Sequence, residues 1–473
     1  MEQKSYQLRL RLVKILAAVL IAVPFAVCWY LYYAGMLHTP FYKKGNWLVI
    51  ALFVVVYTVL AKIYDAFRIS TNRIADMVYS QGLSAFLADG ILYVVIWLLM
   101  RRLPNPLPGL AALAAQVLLA TCWALWAHNW YFRHFPPKKS AIVFDKHYAI
   151  EGLVHEYGLE KKFDIRLIIG AAECTEDMRL LDSMETVFIS GVQSHERNVI
   201  MKYCVARGIT VYVLPRIGDI ILSGAQRVHM FHLPMLRVDR AMRNPENSLA
   251  KRGFDLVISA LVLIVTSPIM AMTALAIKLG DGGPVFYRQT RLTQNGKEFQ
   301  ILKFRSMRVD AEKDGVARLS TGDKDDRITP VGRIIRKLRI DELPQLFNVL
   351  DGSMSIVGPR PERPEIAEQY EKMLPEFRLR LQMKAGLTGY AQVYGKYNTT
   401  PYDKLQMDLM YIANPTILED LRILVATVKI LFMPESTDGI AQGQVTAAGN
   451  ENNAQLTEQE EKTDEKWMAG VGR

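Results

Sequence analysis

KRGFDLVISALVLIVTSPIMAMTALAIK, residues 251–278, decides the architecture of this chain. From Leu256 to Ile277 it carries no charge, and that length can cross the ~30 Å of hydrocarbon that needs about 20 helical residues. Its centre, however, reads Thr266-Ser267-Pro268. Pro268 removes one backbone hydrogen bond and bends a helix, while the Ser267 hydroxyl can satisfy the carbonyl so freed. Lys251 and Arg252 precede the apolar run and Lys278 follows it, so neither end looks translocated. A bent, re-entrant helix over 254–278, entering and leaving the same leaflet, fits these features. The alternative is a proline-kinked fifth span, which would put the downstream residues across the membrane from the upstream domain.

Upstream, four apolar stretches occupy the first third: Ile15–Gly35, Trp47–Tyr64, Leu83–Met100 and Leu110–Tyr131. Each approaches the length of a spanning helix. Trp29, Tyr30, Trp47, Tyr64, Trp123, Trp126 and Trp130 crowd their ends, as interfacial anchors do. The first stretch is too long, and lacks a small-residue cleavage site, for a removable signal. Lys4, Arg9, Arg11 and Lys14, then Arg68 and Arg73, then Arg133, Lys138 and Lys139 outnumber the cations of the opposite loops (Lys43, Lys44, Arg101, Arg102). The positive-inside bias is modest and places the N-terminus and the downstream domains in the cytoplasm. From Ser140 to Asp239, short β-branched runs (Ala141–Asp145, Ile165–Ile169, Thr186–Ser190, Thr210–Leu214) alternate with helical stretches, as in a small parallel sheet. The turn after the first run, Phe144-Asp145-Lys146-His147-Tyr148, has no glycine, which argues against a dinucleotide site and for a regulatory or dimerising module.

The expected fold is therefore a membrane protein, α plus α/β. A four-helix transmembrane bundle (1–135) precedes a Rossmann-like β/α domain without a glycine fingerprint (140–239). An α-rich catalytic domain with a re-entrant helix follows (248–432), then a polar tail (434–473) read as disordered. The 473 residues are 51% hydrophobic with a formal net charge of +10, enough for more than one domain. The four cysteines form no CxxC pair, which fits a reducing compartment or membrane burial. After His232 there is no histidine and after Cys204 no cysteine, so chemistry in the C-terminal half rests on carboxylates, hydroxyls, cations or a metal.

Arg339-Ile340-Asp341-Glu342-Leu343-Pro344-Gln345-Leu346-Phe347-Asn348-Val349-Leu350 sets two adjacent carboxylates at the start of a short apolar helix, after a basic run. Pro344 suits a first helical turn. The helix dipole and neighbouring cations favour ionised carboxylates, so the pair is better read as supplying a nucleophile and a metal ligand than as proton donors. Lys303-Phe304-Arg305 ends a strand over Phe299–Phe304 and presents two cations. Val331–Arg339 reads as a basic amphipathic helix bearing Arg333 and Arg336, suited to anionic headgroups or to plain solvent. Gly358-Pro359-Arg360-Pro361-Glu362-Arg363-Pro364 is a rigid loop holding arginines for phosphate, or a structural turn. Asp323-Lys324-Asp325-Asp326 holds a DxD triplet, a form that also arises by chance. Asp408 and Asp420 either line a site or face solvent, and Gly386-Leu387-Thr388-Gly389 reads as a tight turn.

KRGFD (251–255), the Ser267-Pro268 break, GPVFYRQTR (283–291), KFRSM (303–307), RITPVGRIIRKLRIDELPQLFNVLDGSMSIVGPRPERPE (327–365) and GLTGYAQV (386–393) occur in that order. Together they resemble the bacterial polyprenyl-phosphate phosphoglycosyl transferases of the monotopic superfamily, over residues 248–432. The upstream helices and β/α domain resemble the long form, like the undecaprenyl-phosphate glucose and galactose phosphotransferases. Arg339 stands where serine or threonine is frequent and Ile340 where leucine is, but the carboxylate pair is intact. The resemblance implies that Asp341 attacks the β-phosphorus of a UDP-sugar while Glu342 holds Mg²⁺. UMP leaves, and undecaprenyl phosphate then takes the sugar phosphate from the aspartate. It further implies phosphate contacts from Lys303, Arg336 and Arg360, followed by Arg305, Arg333 and Arg363. It points to a multi-pass protein of the bacterial inner membrane with its catalytic domain on the cytoplasmic face. Expected partners are a second copy of the chain and downstream glycosyl transferases of exopolysaccharide, capsule or O-antigen synthesis, with no nucleic acid. The competing readings are a glycosyl transferase using Asp323–Asp326 and releasing UDP, and a non-enzymatic assembly scaffold.

Overall fold

The computed structural model describes residues 2–41, 44–145, 154, 159–240, 245–308, 327–395 and 400–431. Asp323–Asp326, Lys146–Tyr148 and the tail 434–473 thus lie outside the described residues. The chain divides into two compact units, Met1–Leu214 and Pro215–Arg473.

In the first unit, α1 (Glu2–Cys28, continued by a π-helical turn Trp29–Tyr33), α2 (Lys44–Ile63), α3 (Ile74–Met100) and α4 (Leu107–His134) cover the four apolar stretches. Their polarity is inverted relative to a water-soluble bundle. Leu12, Val19, Val55, Leu98 and Leu118 are exposed, whereas Ser80, Gln81, Ser84 and Gln116 are fully buried. Such a distribution is stable only where the surroundings are hydrocarbon, since each exposed apolar side chain would otherwise cost burial free energy. The Trp123 indole N–H donates to the Val13 carbonyl at 3.1 Å, tying α4 to α1.

After α4 come β1 (Lys138–Phe144), β2 (Phe163–Gly170), α5 (Ala171–Glu176), β3 (Thr186–Ser190), α6 (Ser194–Ala206) and β4 (Thr210–Val213). The strands form one parallel sheet in the order β2-β1-β3-β4, at the positions the β-branched runs mark. Alternation sends Ala141, Val143, Ile169, Val187 and Ile189 to one face, against Cys174, Leu181, Ile200 and Cys204.

The second unit opens with α7 (Ile217–Ser223) and a hairpin, β5 (Gln226–Met230) with β6 (Leu233–Arg237). The 37-residue α8 (Pro245–Asp281) follows, helical throughout with Pro268 inside it. The Pro268 nitrogen has no hydrogen for the Ile264 carbonyl, and the Ser267 hydroxyl donates to that carbonyl at 2.8 Å instead. The hairpin β7 (Phe286–Leu292) with β8 (Glu298–Phe304) comes next. Then follow α9 (Pro330–Lys337), α10 (Gln345–Asp351), β9 (Ser355–Val357), α11 (Pro364–Met373), β10 (Gly386–Thr388), α12 (Tyr390–Tyr394), α13 (Pro401–Ala413) and α14 (Ile417–Leu431). Leu346, Val349, Met354, Val357, Phe377, Leu405 and Ile423 form the core.

Gly386-Leu387-Thr388 is a strand parallel to β9, not the tight turn its glycines indicate. The glycines serve close backbone approach: a Cβ on Gly386 would overlap the Gly358 nitrogen, and one on Gly389 the Gly358 carbonyl.

Both halves of α8 pack on this one unit. Before Pro268, Ile258, Val262 and Leu263 lie on the main core. After it, Met270 and Ile277 cluster with Phe304 and Ile335. The opposite flank leaves Val257, Leu261, Ile264, Val265, Met272 and Leu275 exposed. Five helices among the described residues, α8 included, are long and apolar enough to cross a membrane.

Candidate active site

Three segments converge on the carboxylate pair. The first is β8, whose register sets Lys303 opposite Tyr287 near the strand end. Asn348 on α10 binds this strand, accepting from Leu302 N–H at 2.9 Å and donating to the Gln300 carbonyl at 3.0 Å. That bridge fixes Lys303 relative to α10.

The second segment carries the pair itself. Thr329 caps α9 by accepting from Gly332 N–H at 2.9 Å. Gly332 is required there, because a Cβ would overlap the Ser306 carbonyl. At Arg339 the chain turns left-handed (φ 56°, ψ 19°), a conformation that costs a non-glycine residue roughly 1 kcal/mol. Ile340–Glu342 then forms a 3₁₀ turn, and α10 begins only after Pro344. The carboxylates thus stand one turn ahead of α10, not inside its first turn. Pro344 starts a new helix more readily than it continues the 3₁₀ turn.

The third segment is the loop after β9, which delivers Arg360. Its Nη2 lies 3.0 Å from Glu342 Oε1, and Lys303 Nζ lies 3.2 Å from the same oxygen. Arg339 Nη1 is 4.0 Å away. Burial alone would raise the proton affinity of Glu342, but Lys303, Arg360 and Arg339 outweigh it and hold the carboxyl far below the usual range. Asp341 is treated oppositely. Burial, then the neighbouring Glu342 charge, push it up to about 6 against the pull of Lys303, Arg336 and Arg339. Its Oδ1 is shielded from solvent and has no hydrogen-bond partner. One carboxylate is clamped; its neighbour keeps an uncommitted oxygen.

Of the other cations singled out in the sequence, Arg336 is near enough to act on Asp341, whereas Arg333 is exposed on the outer flank of α9. Arg305 is 7% exposed and presses on Gly283, where a Cβ would overlap its guanidinium. Arg363 is the residue before α11, and its charge acts on Arg291. Exposed Ile334, Leu338 and Phe347 accompany exposed Arg333 and Lys337, so the outer surface mixes apolar and cationic groups.

A buried ion network behind the Arg360 loop escaped sequence reading. Arg380 pairs with Asp408 at 2.7 Å, lies 3.5 Å from Glu362, and donates to the Arg360 carbonyl at 2.8 Å. Lys404 meets Glu362 at 3.2 Å, and Arg291 donates to the Pro361 carbonyl at 3.1 Å. Glu362, between the two arginines of the loop, is the hub. Asp408 and Asp420, each 1% exposed, neither face solvent nor join the pair. Asp420 accepts from Lys251 at 2.8 Å and from the Tyr411 hydroxyl at 2.6 Å. Asp255 accepts from the Ser355 hydroxyl at 2.8 Å and Ile356 N–H at 3.1 Å. Arg252 donates to the Val349 and Leu350 carbonyls at 2.6 and 2.9 Å, capping the end of α10. The KRGFD segment therefore rivets α8 to the site. Its cations are internal partners, and carry less topological information than their position in the sequence implies.

Among the described residues no group of three or more His, Cys, Asp or Glu forms a metal cage. A hard divalent cation here would take one carboxylate and complete its shell with phosphate oxygens and water, as Mg²⁺ commonly does.

Residues 246–434 match the family described as bacterial sugar transferase. The chain is 37% identical over 232 residues to the UDP-N-acetylgalactosamine-undecaprenyl-phosphate N-acetylgalactosaminephosphotransferase of Aeromonas hydrophila, covering 48% of this chain and 54% of that protein. It is 42% identical over 193 residues to the UDP-glucose:undecaprenyl-phosphate glucose-1-phosphate transferase of Caulobacter vibrioides, covering 40% and 72%. It is 42% identical over 187 residues to the exopolysaccharide production protein PSS of Rhizobium leguminosarum bv. phaseoli, covering 38% and 92%. The match thus spans about half of the Aeromonas protein but most of the Rhizobium one.

Proposed function

The chain belongs to the bacterial sugar transferase family, and we propose that it transfers hexose 1-phosphate from a UDP-sugar to undecaprenyl phosphate in the bacterial cytoplasmic membrane, on the cytoplasmic face. The reading rests on the contrast inside the pair: Asp341 has a buried oxygen without a partner, and Glu342 beside it is held by Lys303 and Arg360. In the first step an Asp341 carboxylate oxygen forms a bond to the β-phosphorus. The bond from that phosphorus to the bridging oxygen breaks, and UMP leaves with the electron pair. In the second step an oxygen of undecaprenyl phosphate bonds to the same phosphorus and the Asp341 carboxylate leaves, regenerated. Lys303, Arg336 and Arg360 offset charge on the transferring group. Glu342, with the diphosphate oxygens, suits Mg²⁺, which would supply further charge neutralisation when bound.

Two features support lipid as acceptor. The α9 surface beside the pair is apolar and cationic together, as an anionic headgroup layer requires. Both halves of α8 pack on the catalytic unit while its far flank is apolar, which favours a helix bent at Pro268 that leaves by the leaflet it entered. Confinement of the acceptor phosphate to that plane replaces a three-dimensional search with a two-dimensional one. The four N-terminal helices act as a membrane-spanning bundle, and the parallel sheet as a regulatory module or a contact between two copies.

The test is incubation of the purified protein with UDP-sugars alone, without lipid. UMP should appear in about one equivalent per chain, with sugar phosphate bound to protein, and Asp341→Asn should abolish both. Release of UDP in place of UMP, or full activity of Asp341→Asn, would sink the reading.

A further inference from the structure

Inside the bundle of the first unit, remote from any role in phosphate transfer, we propose a second binding site: Asp89, positioned by Gln116, holds the head of a small primary ammonium ion. The proposal stands independently of the transfer reaction. A cavity of about 30 Å³ lies there, lined among others by Phe25, Trp29, Tyr33, Asp89 and Tyr93. That is room for about two water-sized groups, an ammonium head and its first carbon.

Trp29 and Tyr33 begin and end the π-helical turn, a rare irregularity that recurs at functional sites. The polar tips of the aromatic side chains are already engaged. Trp29 donates to Asn46 Oδ1 at 3.1 Å, Tyr33 to the Asn105 carbonyl at 2.8 Å and Tyr93 to the Pro104 carbonyl at 2.6 Å. Those bonds immobilise the rings of residues that line the cavity. The carboxylate is under-satisfied. Asp89 Oδ1 receives one long bond from Gln116 Nε2 at 3.5 Å, and Asp89 Oδ2 receives none. Gln116 Nε2 also donates to the Ile21 carbonyl at 3.3 Å, and Gln116 Oε1 has no donor. Reversing the amide would only set its oxygen against two acceptors, so its orientation is fixed by chemistry.

A buried carboxylate oxygen without a donor, on a residue that lines the cavity, calls for a cation that brings N–H groups. No lysine or arginine lines the cavity to supply them. Aromatic faces favour an organic ammonium over a hard metal ion, and the volume excludes a quaternary head. The ammonium could arrive as a free amine or as the headgroup of an aminophospholipid. In a membrane helix, an ionisable side chain facing the bundle interior is ordinarily functional.

The full-length protein in nanodiscs of phosphatidylcholine, which has no primary amine, should show a saturable change in Trp29 emission on titration with methylammonium chloride. Trp29→Phe identifies the signal. The response should vanish in Asp89→Asn, weaken at least about tenfold in Gln116→Ala, and be absent with sodium chloride. Phosphatidylethanolamine nanodiscs separate the sources: a rightward shift of the titration assigns the site to the lipid amine, and an unchanged titration assigns it to the free amine. No saturable change, an equal response to sodium, or an unaltered response in both variants would overturn the site and leave Asp89 as a protonated acid. UMP release should stay within about twofold in both variants, because neither residue belongs to the transfer site.

Discussion

Two carboxylates adjacent in sequence occupy one 3₁₀ turn, yet their surroundings separate their proton affinities, which is how one turn supplies two roles. Asp341 must be ionised to attack, so kcat/KM for UMP release should fall tenfold per pH unit below about 6 and level off above it. A profile flat down to pH 5 would remove Asp341 from the attacking role. Stability runs in the opposite sense. The folded chain binds the Asp341 proton more tightly than the unfolded chain does, so this residue favours the fold at low pH and loses that contribution as pH rises through about 6. Asp341→Asn should therefore be inactive, by on the order of 10³-fold or more, yet melt about 2–4 °C higher than the parent at pH 8. A lower melting temperature would mean that the carboxylate is a structural partner. The pair was legible in the sequence because its members are neighbours and no histidine or cysteine competes downstream. The partners of Glu362 were not: Arg291, Arg380 and Lys404 come from three distant segments, and only folding brings them together.

At the scale of elements, the rigidity of the Arg360 loop has two sources. Prolines 359, 361 and 364 restrict its backbone, and the Arg380–Asp408 pair grips the Arg360 carbonyl from behind. Burial pushes the Asp408 proton affinity up, and Arg380 only partly counters it. Removing Asp408 leaves the buried Arg380 with Glu362, at 3.5 Å, as its remaining acidic neighbour, a loss of up to about 3 kcal/mol. Asp408→Ala should thus lower the melting temperature of the catalytic unit by several degrees. The double variant Asp408→Ala/Arg380→Met should recover part of that loss, because the under-neutralised guanidinium is gone while Lys404 still pairs with Glu362. Equal melting of the single and double variants would show that the pair is held by something other than mutual neutralisation. Periodicity marked the strands of the parallel sheet and the basic helix α9 well, since each is patterned locally. It misplaced Gly386–Thr388, because glycine signals a turn and a close backbone approach alike. It also set the carboxylates in a helix, since Pro344 reads the same at either side of a helix start.

At the scale of the molecule, the position of α8 turns on contacts that flanking charges cannot report. Lys251 and Arg252 look like topology signals in the sequence, but one neutralises Asp420 and the other caps α10. What constrains the helix is that residues on both sides of Pro268 pack on the same folded unit. A straight helix of 37 residues would run about 55 Å and, placed across a bilayer, would carry one of those contacts to the opposite side. A bend at Pro268, with the Ile264 carbonyl already satisfied by Ser267, removes the conflict at small cost. Leu249 and Leu279, 73% and 77% exposed, flank the apolar segment and can each be replaced by cysteine. Cys122 is the one exposed native thiol and can be changed to serine, because Cys28, Cys174 and Cys204 are buried. In right-side-out membrane vesicles an impermeant maleimide should label neither Leu249→Cys nor Leu279→Cys until the vesicles are opened, and then both. Labelling of Leu279→Cys alone in sealed vesicles would make α8 a fifth span and would put Asp341 on the far side from Leu249, away from cytoplasmic nucleotide sugars.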